Sequence, residues 1–271
     1  MWLKLRTETG VQAPFNYDAI PEGYYQVVTE QGNPIRRAWH LHKFERVLDC
    51  LPDLPGQSLL DVGCFAGTFL SGVPRERFSR QLGVDIVERQ IGYANRRFHT
   101  DFREFRYIPH VAALNEVDET FDCVTLIEVI EHLPPAEVPR MMEAVTARLK
   151  PGGKLVISTP NYTSAWPLLE ILINRLSDLS YEEQHLCKFN YFNVISKLGR
   201  LWPGLSSELS LDYRTTTHFI SPFLAAASFR FARGVARLYP HQSWHFPLGS
   251  LLLLVFTRQT GEKCGLEGRP A

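Results

Sequence analysis

Leu59-Leu60-Asp61-Val62-Gly63-Cys64-Phe65-Ala66-Gly67-Thr68-Phe69 reads as a buried strand, a glycine turn and the start of a helix. A second apolar run ends in an acid, Gly83-Val84-Asp85, 24 residues after Asp61. This order is how an α/β sheet holds an adenosine. The turn lets the backbone approach the ligand, and the strand-end carboxylate accepts both ribose hydroxyls. A dinucleotide needs more: a second glycine in G-x-G-x-x-G, so that a pyrophosphate can lie against the main chain above a helix N-terminus. Phe65 stands at that second position, and the spacing is Gly63-x-x-x-Gly67. A bulky aromatic there disfavours a pyrophosphate but tolerates an adenosine ligand that carries no phosphate.

Three further segments extend the pattern. Phe121-Asp122-Cys123-Val124-Thr125-Leu126-Ile127-Glu128 is an apolar strand running into a carboxylate, followed by Val129-Ile130-Glu131-His132-Leu133-Pro134-Pro135. Val138, Met141, Met142, Val145 and Leu149 then recur at helical spacing. Lys150-Pro151-Gly152-Gly153 stops that helix, and Lys154 to Thr159 is the next strand. In order and spacing, residues 55–162 resemble the class I S-adenosylmethionine-dependent methyltransferases, closest in motif to the ubiquinone-biosynthesis O-methyltransferases. The family's first motif runs acid-x-Gly-x-Gly-x-Gly, and Phe65 departs from it at the middle glycine.

The resemblance implies a Rossmann-like α/β fold. Its mostly parallel seven-stranded sheet has helices on both faces, an antiparallel last strand and helical insertions after strand five. It also implies S-adenosyl-L-methionine as cofactor, held by Asp61, Gly63, Gly67 and Asp85, with Cys64 and Phe65 supplying backbone, Ile86 an apolar contact to adenine and Glu128 beside the sulfonium. His110 sits where relatives carry an Asp that bonds the adenine amine.

The candidate acceptor-side groups are Glu128, Glu131 and His132. Positions i, i+3 and i+4 share a face on a helical turn, so these side chains can converge just past strand four. The resembling ubiquinone-biosynthesis and small-RNA 2′-O-methyltransferases use Glu-x-x-Glu-His to bind a divalent cation. In the small-RNA enzymes a downstream His completes the set, and His185, within Glu182-Glu183-Gln184-His185-Leu186-Cys187-Lys188-Phe189, is its match. Two readings stand beside the metal: the pair shapes the cofactor pocket, or His132 acts as general base with Glu131 facing the acceptor.

Composition bounds the rest. At 271 residues and 45% apolar content, the chain can bury a sizeable core as one domain with embellishments. Lys plus Arg equals Asp plus Glu, 29 each, so the broad basic footprint of a nucleic-acid binder is missing. Five scattered cysteines, Cys50, Cys64, Cys123, Cys187 and Cys264, form no C-x-x-C pair and read as reduced thiols of a cytoplasmic protein. Met1-Trp2-Leu3-Lys4-Leu5-Arg6 lacks a signal-peptide apolar core, and the longest pure apolar run, Leu251 to Phe256, is far short of a membrane span.

The expected organisation is an N-terminal cap and helix over 1–54 and a cofactor-binding core over 55–162. Substrate-side insertions and closing strands follow over 163–259, with a loose tail over 260–271. Asn33-Pro34 marks a helix start, and the helix runs to about Leu51 with His40, Phe44, Val47 and Leu48 on one face. By resemblance this helix covers the cofactor, so Arg37, Trp39, His40 and His42 either line the site or pack elsewhere. One apolar insertion spans Ser164 to Leu179. A second, over about Pro222 to Tyr239, sets Arg230, Arg233 and Arg237 against Phe231, Val235 and Leu238. That stripe suits peripheral contact with an anionic membrane or a solvated face over a packed lid. The apolar insertions suit an apolar or aromatic small-molecule acceptor, or a homodimer interface. The expected function is methyl transfer to such a molecule at oxygen. The alternatives are an RNA 2′-O-methyltransferase, a nicotinamide oxidoreductase and a binding scaffold without turnover.

Overall fold

The computed structural model of the chain describes residues 20–164, 185–238 and 246–260. The helix expected over 164–179 and the tail over 260–271 fall almost wholly outside them. Two N-terminal helices, α1 (Tyr24–Gln31) and α2 (Pro34–Cys50), precede β1 (Gln57–Val62) and a single helical turn, α3 (Thr68–Ser71). Then come β2 (Phe78–Asp85), α4 (Glu88–Phe98), β3 (Arg103–Tyr107), β4 (Phe121–Ile127), α5 (Val138–Arg148) and β5 (Leu149–Pro160). The closing part comprises α6 (Val194–Leu201), α7 (Leu205–Glu208), β6 (Leu209–Thr217), α8 (Ser221–Leu224), α9 (Phe229–Arg237) and β7 (Leu251–Arg258).

Seven strands form one sheet in the order β3-β2-β1-β4-β5-β7-β6. Pairs β1–β2, β2–β3, β1–β4 and β4–β5 are parallel, while β7 runs antiparallel to both β5 and β6. This is the expected class I arrangement, antiparallel edge included. Both faces of the sheet are covered, so strand residues alternate between two cores. Leu59 packs with Val47, Phe69 and Ile91 under α2, α3 and α4. Leu60, its neighbour, points the other way, toward Met142 and Val145 of α5.

The local signals act as their chemistry requires. The Asn33 carboxamide accepts from Arg36 N at 3.0 Å and Pro34 opens α2, as the Asn-Pro pair predicts. Two boundaries differ from expectation. α3 is only four residues long, closed by Gly72. β5 begins directly out of α5, with Phe121 paired to Leu149 and Cys123 to Lys154, so the Pro151-Gly152-Gly153 turn becomes a register shift at the strand's start.

Gly67 joins the loop after β1 to α3 with φ 74°, a left-handed conformation that favours glycine. A Cβ there would meet the Phe105 ring at 2.6 and 2.8 Å and Ala94 Cβ at 3.1 Å. Gly67→Ala is therefore expected to cost about 1–3 kcal/mol through overpacking and backbone strain. Urea unfolding checks this: the midpoint should fall with the slope unchanged.

Candidate functional site

The register Val62↔Val84 and Val62↔Leu126 brings the carboxyl ends of β1, β2 and β4 level. β1 lies between β2 and β4, where the direction of strand addition reverses, and a crevice opens outside such an edge. A cleft of about 330 Å³ lies there, bounded by the loop after β1, Asp85 and Ile86, the segment after β4, and Tyr25 and Lys43 from the N-terminal helices. That volume falls at the lower end of small-ligand pockets, about 300–1,000 Å³.

Asp85 organises the loop wall. One carboxylate oxygen accepts from Phe65 N at 2.8 Å and the other from Val87 N at 2.8 Å, while Gly63 N and Cys64 N donate to Val84 O. Gly63 adopts φ 80° and Phe65 φ 49°, so Phe65 takes the left-handed backbone that the family's middle glycine would take freely. Its ring is seated against Tyr25, centroids 5.2 Å apart and edge to face. Beneath the loop, Asp61 accepts from the Thr125 hydroxyl at 2.7 Å across the β1–β4 pair. Burial pushes the Asp61 carboxyl up to about 7, against the Thr125 hydrogen bond and helped by the charge of Asp85. Burial likewise pushes Asp85 up to about 6, opposed by its backbone donors.

The segment after β4 is a turn rather than a helix, with Glu128 at φ 54° and His132 N donating to Val129 O at 3.0 Å. Glu128 N donates to Ser158 O on the neighbouring strand at 3.0 Å. The Glu128 carboxylate is paired with Lys43 of α2. Burial alone would raise its pKa, but the charge and hydrogen bond of Lys43 outweigh burial and hold it below the usual range. Glu128 therefore points to α2, and the expected convergence of three side chains takes another form.

The set that does converge is Glu131, His132 and His185, each offering a ligand atom within 4.8 Å of the others. The His132 and His185 ring centroids lie 5.1 Å apart. Cys187 N donates to Glu131 O at 2.9 Å, which ties the 185–187 segment to the turn, and the Tyr162 hydroxyl is 2.8 Å from His185 Nδ1. Glu131 is fully buried, and neither of its carboxyl oxygens meets hydrogen-bond geometry with a protein donor. Burial first, and the Glu128 charge second, hold it protonated well above the ordinary range, although the nearby Thr159 hydroxyl favours the ionised form. An orphaned buried carboxyl beside two imidazoles fits a divalent cation, and these three residues could hold one.

Other expected residues lie elsewhere. His110 does not line the cleft; its Nδ1 accepts from Ala113 N at 3.1 Å and caps a short 3-10 turn, while Ile86, Ile108 and Val111 line the cleft nearby. Arg37, Trp39, His40 and His42 of α2 do not line the cleft either. Lys43, Tyr25 and Thr125 are contributors that the motifs did not single out. Lys43 was legible in principle: it lies three residues after His40 and four before Val47, on the same helical face.

Residues 36–197 match a family described as methyltransferase domain. The ubiquinone biosynthesis O-methyltransferase of Pseudomonas fluorescens is 34% identical over 132 residues, 48% of this chain and 52% of that protein. The matched region thus spans about half the length of the curated relatives. The N-methyltransferase NodS of Bradyrhizobium japonicum, solved with S-adenosyl-L-homocysteine, superposes with a TM-score of 0.54 at 17% identity, covering 88% of this chain and 93% of that one. Magnesium protoporphyrin IX methyltransferase of Synechocystis, also with bound SAH, gives 0.53 at 13% identity, covering 87% and 98%. At such identities the two structures speak for the fold alone.

The raised Asp61 carboxyl has a consequence for stability. Between pH 4 and about 7 the folded chain keeps a proton that the unfolded chain has released, so this group lowers stability as pH rises. Buried His40, His42 and His218, all shifted down chiefly by burial, act in the opposite direction. The comparison with Asp61→Asn isolates the acid, because the amide oxygen can still accept from Thr125. Relative to wild type, the variant should gain about 1–3 kcal/mol between pH 5 and pH 8 by denaturant unfolding. A difference that stays constant with pH would show that Asp61 does not titrate in that window.

Proposed function

The chain belongs to the methyltransferase domain family, and from that premise we propose an S-adenosylmethionine-dependent enzyme that methylates a small apolar or aromatic acceptor at oxygen. The observation that carries this reading is one cleft that joins a loop-and-acid adenosine cradle to a carboxyl–imidazole cluster. Asp85 is the ribose acceptor. Gly63, Cys64, Phe65 and Gly67 form the loop beneath the thioether, Asp61 underpins it, and Ile86 packs on the adenine. Glu128 stands at the sulfonium end. The oxygen acceptor is favoured by the curated relatives, which are named O-methyltransferases.

Methyl transfer from a sulfonium is an in-line displacement, and the cofactor supplies its own leaving group. The chain has to hold donor and acceptor aligned at ~3–3.5 Å and exclude water. A phenol or enol must also lose its proton. His132 takes that proton on our reading, with His185 and Tyr162 fixing the geometry of the cluster and Glu131 at its buried end. Where Glu131, His132 and His185 instead hold a divalent ion, that ion would supply Lewis acidity and lower the acceptor's pKa, and His132 would serve as its ligand in place of the base. Leu133, Pro134 and Met141 give this part of the cleft an apolar wall suited to a ring or an alkyl chain.

Two measurements test the reading. Calorimetric titration with S-adenosylhomocysteine should show binding that Asp85→Asn weakens tenfold or more, a loss of at least ~1.4 kcal/mol. His132→Ala should leave that binding within about twofold while lowering S-adenosylhomocysteine release with an alkylated catechol by about 10²–10⁴-fold. Turnover that survives the His132 substitution would remove that residue from the chemistry.

A further inference from the structure

β7 runs antiparallel to both β5 and β6, so β6 points the same way as β5 and ends, at Thr217, on the sheet edge that bears the cleft. The insertion that follows carries α8 and α9 and packs on α2, whose Lys43 and Phe44 line the cleft. α9 presents unlike sides. Ala232 and Ala236 are buried, Ala232 in a cluster with Ala38 of α2. On the side turned away from them, Phe231, Val235 and the C-cap residue Leu238 recur at i, i+4 and i+7 along one flank, and Arg230, Arg233 and Arg237 along the other. Phe231 is 60% and Leu238 74% exposed, and between the flanks a Cβ on Gly234 would meet nothing within 4 Å. Phe219, Ile220 and Phe223, on the approach to α9, are exposed as well.

Charge marks the same segment. From Tyr213 to Gly261 the chain has five arginines, Arg214, Arg230, Arg233, Arg237 and Arg258, and neither Asp nor Glu. Basic and acidic residues are equal in number over the whole chain, so the remainder is acidic. Arg233 meets Glu45 of α2, but among the described residues no carboxylate pairs with Arg230 or Arg237. We propose that α9 and its approach dock the protein on an anionic membrane surface. The helix lies flat there, Phe231 and Leu238 enter the acyl boundary, and Arg230 and Arg237 meet lipid phosphates. The acidic remainder is repelled by the same surface, so this face is the one turned to it. A second copy is a poorer occupant, because a twofold pairing here would set arginine against arginine. Docking depends on none of the chemistry proposed above. Its consequence does: on the acceptor reading, a membrane-dissolved acceptor meets the sheet edge that carries the cleft.

Co-sedimentation of the full chain with two kinds of vesicle tests this, pure phosphatidylcholine and phosphatidylcholine with about one-third phosphatidylglycerol. Wild type should partition about tenfold or more strongly onto the anionic vesicles, and raised salt should weaken that preference. Arg230→Gln with Arg237→Gln should lower binding to the anionic vesicles about fivefold or more, whereas Arg230→Lys with Arg237→Lys should retain it. Phe231→Ser with Leu238→Ser should lower it about tenfold or more. Urea midpoints of all three variants should match wild type, since the four side chains are exposed. Absence of wild-type binding to anionic vesicles, or partition that survives the Phe231 and Leu238 substitutions, overturns the proposal. So does a dimer in sedimentation equilibrium that those substitutions split, which would give the face to a second copy. No arm of the test draws on cofactor binding, so failure here leaves the methyltransferase reading standing.

Discussion

The two backbone bonds that Asp85 accepts are the constraint on which the site depends. A carboxylate at the end of β2 reaches across to Phe65 N, so the loop after β1 is fixed by the neighbouring strand as well as by its own sequence. That tie holds a phenylalanine in a conformation that costs roughly 1–2 kcal/mol for a residue bearing a Cβ. Gly63 and Gly67 bear the other left-handed positions without that cost. Strain of this kind persists where the surroundings over-determine it, and here Asp85 and the ring contact with Tyr25 do so together. The acid thus shapes the cradle before any ligand arrives.

Electrostatics then sort the acids of the cleft. Asp61 and Glu131 are buried, and burial outweighs their hydrogen bonds and, for Glu131, the charge of Lys43, moving both toward the neutral form. Glu128 is buried as well, but Lys43 is in contact with it and the direction reverses. Three carboxyls within a few residues of the same sheet edge therefore behave differently, for reasons visible in their partners. A neutral Glu131 also fits the cluster with His132 and His185. It brings no charge that must be satisfied when the cleft is empty, and it can release its proton if a cation enters.

The sequence made the sheet legible because the strand-turn-helix run at Leu59–Phe69, the Asp85 strand end and the Pro-Gly-Gly turn are local signals with fixed spacing. The antiparallel partner of β5 was legible for the same reason, as a run of pure apolar residues, Leu251 to Phe256, buried on both faces. The site was legible only in part. Glu131 and His132 come together with His185, which only the resemblance had suggested, but the helical spacing read for Glu128, Glu131 and His132 is not what joins them, since the segment after β4 is a turn. Glu128 parts from them because its partner is 85 residues earlier in the chain, and no local pattern announces a tertiary ion pair. His110 shows the reverse error: an imidazole that aligns with a ligand position is spent on capping its own 3-10 turn.

The position of Lys43 depends in turn on the far end of the chain. α8 and α9, inserted between β6 and β7, pack on α2 through small side chains, Ala38 against Ala225 and Ala232. Residues of that size let the helices approach closely, so a larger side chain at any of them would displace α2 and with it the ammonium in the cleft. His218, just after β6, adds a directional tie by donating through Nε2 to the Trp39 carbonyl at 2.7 Å. The Arg233–Glu45 pair across the same interface is partly exposed and contributes little by itself, ~0–1 kcal/mol. Close packing and the His218–Trp39 hydrogen bond, rather than surface charge, therefore hold α2 where Lys43 can reach Glu128. An insertion that looks like decoration in the sequence fixes the wall of the cleft in the fold.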